Sequence, residues 1–261
     1  MNLTKTLTGL LIIITMIGCS RNKLEQKGFS VSQQTSAEGE ENTSGIAKDS
    51  LILKTRPGGI LLTGNSQYRL TTVYLVNYNK RTETTFIGSD NFYVNYAELG
   101  NSNGNYWHEN FLPGLEAVYG YNMVNISLFD TKAQKSNYFF NKPVLIKTLY
   151  FPSFTNDTLN YKPVLRNYYL ISVYDEDSNG DGLINIHDLR HFYYIDSNAQ
   201  NKTLLVPMNY SVLRSEYDPA NDYMYVFAKI DTNKNGTGDD DEALHIFWID
   251  LKNPLNNGLL Y

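Results

Sequence analysis

Residues 169–196 and 223–250 carry one pattern twice, offset by 54 residues without a gap. Asp177 matches Asp231, Asn179 matches Asn233, Gly182 matches Gly236 and Asp188 matches Glu242. His191 matches His245, and Asp196 matches Asp250. A chain with a duplication of this period is built from supersecondary units that bury their apolar faces against each other. Each copy opens within an aromatic and β-branched run, YYLISVY from Tyr168 or YMYVFAKI from Tyr223. It crosses a polar acidic stretch and resumes with HFYYID or HIFWID. Such runs fit a pleated, half-buried surface, so the unit is strand–loop–strand.

A fainter version extends backwards. Strand-like runs end in Asn or Asp at Asn77, Asp130, Asp196 and Asp250, at spacings of 53, 66 and 54 residues. A polar turn follows each, then an apolar residue (Phe86, Phe139, Leu204, Leu259). Phe92 to Glu98 is a further expected strand, and Leu112 to Val118 and the residues after Asp188 are each expected to give a turn of helix. The sequence thus predicts an all-β domain over residues 51–261, repeat-built and β-propeller-like, with about four units of about 54 residues. A β-sandwich is the alternative, because it too has short strands at regular spacing. The segment SEYDPANDYMYVFAKID…HIFWIDLKN resembles a TolB-type propeller blade over residues 165–261.

The polar stretches between the duplicated strands carry the chemistry. Residues 177–188 read D-S-N-G-D-G-L-I-N-I-H-D, and residues 231–242 read D-T-N-K-N-G-T-G-D-D-D-E. Both resemble the twelve-residue EF-hand calcium loop, the first close to its dockerin variant. Ca²⁺ takes about six to eight oxygen ligands, so oxygens at fixed spacing must converge on one point. The resemblance implies side-chain ligands Asp177, Asn179 and Asp181, then Asp231, Asn233 and Asn235, at positions 1, 3 and 5. It implies main-chain carbonyls from Leu183 and Thr237 at position 7. Asn185 and Asp239 stand at position 9, and Asp188 and Glu242 close the loops at position 12. Gly182 and Gly236 occupy position 6, where the backbone turns sharply. The flanks depart from the EF-hand pattern, being strand-like on both sides, so two Ca²⁺ ions are expected in loops between strands, without the helix-opening switch.

The first fifty residues serve as an address. Lys5 precedes the short apolar run Leu10 to Ile17, which ends in Gly18-Cys19. That arrangement marks a secretory signal too short to span a bilayer. Met16-Ile17-Gly18-Cys19 resembles a bacterial lipobox, which implies removal of residues 1–18 and lipidation of Cys19. Residues 19–50 are polar and read as a disordered, lipid-anchored tether. The expected location is the cell envelope, with the outer membrane favoured in a Gram-negative cell. The membrane is thus an expected partner through the lipid on Cys19.

Composition removes other classes. Lys and Arg total 22 against 27 Asp and Glu, so no basic stripe exists to neutralise nucleic-acid phosphates. A single Cys excludes a disulfide framework and a Cys-rich zinc site. His187 and His191 are four apart but read as structural, and His108-Glu109 lacks the second His of a zinc-protease helix. The leading expectation is a non-catalytic calcium-dependent binding or structural module, whose ligand would be a glycan or a protein. Trp107, Trp248 and the many Tyr residues are the rings that could line a sugar-binding surface. The alternative is an envelope hydrolase acting on polysaccharide or peptide, with Glu98, Glu109 and Glu116 as candidate carboxylates. The sequence leaves the oligomeric state open.

Overall fold

The structure, a computed structural model, describes residues 28–31, 54–79, 81–87, 91–93 and 112–261. In chain order the strands are β1 Phe29–Ser30, β2 Thr55–Leu62, β3 Tyr68–Leu75, β4 Asn77–Asn79, β5 Thr84–Phe86, β6 Asn91–Tyr93 and β7 Leu115–Tyr119. They continue with β8 Met123–Asp130, β9 Lys135–Tyr138, β10 Leu145–Pro152, β11 Asp157–Leu159, β12 Lys162–Val164 and β13 Tyr168–Tyr174. The rest are β14 Leu183–Ile184, β15 His191–Asp196, β16 Lys202–Leu204, β17 Tyr210–Asp218, β18 Tyr223–Ile230, β19 Leu244–Asp250 and β20 Asn257–Leu259. The protein is all-β, and every strand pairing among the described residues is antiparallel.

Strand order resolves into three four-strand meanders: β2-β3-β8-β9, β10-β13-β15-β16 and β17-β18-β19-β20. The first two join in one ten-stranded sheet through the pairing of Ile146 with Met123, and β7 adds to β10. Two core clusters separate the layers. Leu70, Tyr74, Ile126 and Leu128 of the first meander pack with Leu149, Tyr169, Ile171 and Ile195 of the second. On its other side the second meander sends Tyr150, Tyr168, Leu170 and Phe192 against Met224, Val226, Ala228, Phe247 and Ile249 of the third. Side chains alternate across a strand, so a strand in a middle layer buries every residue. YYLISVY of β13 is buried at all seven positions, whereas YMYVFAKI of β18 buries only alternate residues.

The repeated Asp has a local cause. Asp130 accepts the amides of Lys132 and Ala133, Asp196 those of Gln200 and Asn201, and Asp250 that of Lys252. Each ends the third strand of its meander and folds the turn into the fourth, as an Asx side chain does by mimicking backbone. Asn77 differs. It follows β3, a second strand, which pairs directly with β8 from Tyr68–Asp130 onwards. Strand β3 stops at Leu75, and Asn77 opens β4; β3 and β8 are therefore neighbours in one meander, separated in sequence by an insertion. Leu204 and Leu259 lie on the fourth strands β16 and β20, and Phe139 directly follows β9, while Phe86 lies in the β4–β5 hairpin instead.

Neither expected turn of helix forms. Leu112 bridges to Leu115, and residues 115–119 are β7, paired with β10. Asp188 is followed by two irregular residues and then β15. Strand β6 covers Asn91–Tyr93 of the strand expected up to Glu98, and the remainder lies outside the described residues. No described helix is long and apolar enough to cross a membrane. Residues 1–18, Cys19 and most of the expected tether also lie outside them.

Candidate functional site

Both acidic loops fold on their own side chains, and they do so in the same register. In the first, Asp177 accepts the amides of Asp181 (3.0 Å) and Gly182 (2.9 Å). Asn179 accepts that of Asp181 at 2.9 Å, and Asp181 that of Leu183 at 2.8 Å. Asp188 reaches back to the amides of Ser178 (3.0 Å) and Asn185 (2.8 Å). In the second, Asp231 accepts the amides of Asn235 (3.2 Å) and Gly236 (3.1 Å). Asn233 accepts from Asn235 at 2.9 Å, and Asn235 from Thr237 at 2.9 Å. Glu242 holds the amides of Thr232 (2.8 Å) and Asp239 (3.1 Å). Positions 1, 3, 5 and 12 thus perform identical bonds in both copies. Each carboxylate oxygen has about two lone pairs, so one amide does not exhaust it.

The position 7 carbonyl of the first loop is oriented by a neighbouring strand. Val31 donates its amide to Gly182 O at 3.0 Å, and β1 pairs Phe29 with Ile184 and Ser30 with Leu183. Main-chain groups alternate sides along an antiparallel strand. The Leu183 amide points into the loop to Asp181, so its carbonyl points the same way. At position 9 the arrangement differs: Asn185 is buried, its oxygen accepts the His187 amide at 2.7 Å, and its amide group donates to Asp181 at 3.1 Å. Asp239, its counterpart, accepts from Asn233 (3.1 Å), Asn235 (2.7 Å) and the Thr237 hydroxyl (2.7 Å), and these bonds hold its carboxyl below the usual range.

Asp188 is almost wholly enclosed, and burial pushes its carboxyl up. Its bonds from Asn185, Asn179 and Ser178 oppose that, and the charge of Asp177 adds to it. A carboxylate in this setting gains from any cation placed beside it. Among the described residues, no three His, Cys, Asp or Glu side chains converge as a metal-holding group. The proposed donor sets draw on amide and main-chain oxygens as much as on carboxylates.

Two contacts at the loops have no clear signal in the sequence. The loops touch: Ser178 Oγ donates to Gly236 O at 2.6 Å and accepts the Leu189 amide at 2.7 Å. Gly236 has φ +75°, and a Cβ there would come within 1.8 Å of Ser178 O. The other contact is β1 itself. Phe29 is buried against Val124, Leu145, Tyr174 and Ile184, so part of the expected tether docks on the first loop. Gly28, at φ +55°, passes so close to Ile184 O that a Cβ would sit 1.8 Å away. An alternating apolar signal would have found β1, but Phe29-Ser30-Val31 is too short to stand out.

The remaining candidates separate. His191 is a buried structural group: Nδ1 lies 2.6 Å from Asp175 Oδ1, and Nε2 lies 3.0 Å from Met208 O. His187 shares no metal-type cluster with it. Glu116 on β7 accepts from the Phe154 amide at 2.9 Å and the Ser153 hydroxyl at 3.3 Å, so it anchors a turn. Glu98, Trp107, His108 and Glu109 lie outside the described residues. A cavity of about 490 Å³ opens beside Val73, Val124, Tyr138 and Phe140, and no Asp or Glu lines it among the described residues. The chain matches no protein-family model and no curated protein.

Proposed function

We propose that this chain is a non-catalytic binding or structural module of the cell envelope, stabilised by two Ca²⁺ ions and anchored through lipid on Cys19. The observation that carries the calcium reading is the identical lattice of side-chain-to-amide bonds at positions 1, 3, 5 and 12 of both loops. Solvated acidic turns have no need to repeat one geometry 54 residues apart. Oxygens held in that lattice are pre-organised, which lowers the ordering cost that a hard cation would otherwise meet. The three layered meanders support a propeller-type arrangement of the repeat.

Calorimetry with CaCl₂ tests the reading, and two ions per chain are expected. At a hundred times the dissociation constant each site adds about 2.7 kcal/mol by mass action. Removing Ca²⁺ with chelator then lowers the melting temperature by several degrees. No heat at millimolar Ca²⁺, with a melting curve indifferent to chelator, defeats it. For the anchor, wild-type protein enters the detergent phase on partitioning and Cys19→Ser does not. Equal partitioning removes the lipid from the proposal.

A further inference from the structure

The third meander is an outer layer, and its solvent side is aromatic. Met224, Val226 and Ala228 of β18 point into the core, so Tyr223, Tyr225 and Phe227 point out. On β19, Phe247 and Ile249 point in, which places Ile246 and Trp248 outside. Register brings these together: Tyr225 lies opposite Trp248, and Phe227 opposite Ile246. Tyr223 and Trp248 stack at 5.5 Å between ring centroids with 25° between their planes. Trp248 also lies opposite Gly258 of the edge strand, where a Cβ would come within 3.0 Å of the indole Nε1. Glycine there leaves the indole room to spread towards the sheet edge.

The rim of this surface is acidic. Register sets Glu216 beside Tyr225 and Asp218 beside Tyr223 on one side, and Asp250 beside Tyr223 on the other. Arg214 is engaged within the surface, over the Phe227 ring at 3.6 Å and paired with Glu216. The rings are thus bordered by negatively charged hydrogen-bond acceptors, and Lys229, the next outward residue of β18, is paired with Asp240 at 2.9 Å. Nucleic acid, anionic lipid and acidic polysaccharide are repelled by such a rim. A second copy in two-fold packing would set the acidic rim of one face against the acidic rim of the other. A neutral sugar chain complements it: C–H faces lie on the rings, and hydroxyls donate to the carboxylates and phenols.

We propose that the outer face of β17–β20, centred on Tyr223, Tyr225 and Trp248, binds a neutral polysaccharide. This rests on the reading of the chain as a binding module but not on its metal. The strands bearing the rings, β18 and β19, run directly into loop 231–242 at one end.

Native affinity electrophoresis tests it, in gels cast with soluble β-glucan, galactomannan, xyloglucan or dextran, and alginate as the anionic control. Wild-type protein is retarded by at least one neutral polymer and not by alginate. Trp248→Ala and Tyr223→Ala each weaken binding at least tenfold, while Trp248→Phe keeps part of it. Phe154→Ala, an exposed ring elsewhere, changes nothing. Melting curves and Ca²⁺ stoichiometry on each variant show that it is folded. Four outcomes overturn the proposal: no retardation by any neutral polymer, retardation that survives Trp248→Ala with Tyr223→Ala, equal retardation by alginate, or a wild-type dimer on sedimentation that Trp248→Ala dissociates. Two ions bound without glycan defeat this proposal alone, whereas glycan bound without Ca²⁺ defeats the loop reading alone.

Discussion

Arg166 Nη2 lies 2.7 Å from Asp222 Oδ1, and both side chains are almost wholly enclosed. Arg166 leads into β13 of the second meander, and Asp222 leads into β18 of the third, so the pair fastens two layers. Every other polar contact there is satisfied too. Arg166 donates to Pro113 O at 3.1 Å and Leu251 O at 2.6 Å, and the Tyr217 hydroxyl donates to Asp222 at 3.1 Å. Removing one member leaves a buried charge alone, which costs about 3–5 kcal/mol. Arg166→Ala and Asp222→Ala should each approach that loss in urea unfolding. Arg166→Met with Asp222→Leu should cost clearly less than the two single losses added together. Strict additivity would show that the two side chains do not act as a pair.

His191 and Asp175 give stability a pH dependence. Both ring nitrogens of His191 face acceptors, Asp175 and Met208 O, so both bonds are made when the ring carries two protons. Burial alone would lower the His191 pKa, but the bond to Asp175 and its charge outweigh that and raise it above 6.5. Burial would likewise raise Asp175, yet His191 and the Tyr193 hydroxyl hold it below 3.8. The His191 contribution is complete below pH 6.5 and is lost as pH rises through the elevated pKa. That of Asp175 is present above pH 3.8 and is lost as pH falls through the depressed one. Melting curves of wild type and His191→Gln should therefore differ most near pH 5.5 and converge on the alkaline side. A constant difference across that range would deny the charged ring.

The contact between Ser178 and Gly236 ties the acidic loops together. Through it Asp188 of one loop and Asp231 of the other share a hydrogen-bonded path. Gly236→Ala places a methyl group against Ser178 O and forces a positive φ on alanine, at roughly 1–2 kcal/mol for the backbone alone. It should weaken the proposed Ca²⁺ uptake by both loops, although the proposed ligands of loop 177–188 are untouched. Calorimetry that shows loop 177–188 binding at wild-type strength would make the contact incidental.

Docking of β1 rests on Phe29 and on the closeness of Gly28 to Ile184. Phe29→Ala, or Gly28→Ala, should free this segment without unfolding the meanders, since its pairing with β14 is short and Phe29 is its buried anchor. Hydrogen exchange at the Val31 amide, now bonded to Gly182 O, should speed up at least tenfold. Unchanged protection would mean that other contacts fix the segment.

The amino-acid sequence by itself determined what local hydrogen bonding and side-chain alternation can encode. The all-β character, the loop positions and the Asp that turns the third strand into the fourth depend on residues close in the chain, and the duplication is a comparison of the sequence with itself. Tertiary structure decided the rest. YYLISVY and YMYVFAKI are equivalent as sequence, yet β13 is covered on both sides and β18 on one, because only the former lies between the first and third meanders. As sequence, Asn77 ends a strand as convincingly as Asp130 does, and only pairing shows that β3 and β8 are neighbours. Ser178 against Gly236, Arg166 against Asp222 and Phe29 against Ile184 join residues 58, 56 and 155 positions apart. No local pattern marks such meetings, because the free energy that selects them comes from burying surfaces that become neighbours only when the layers close.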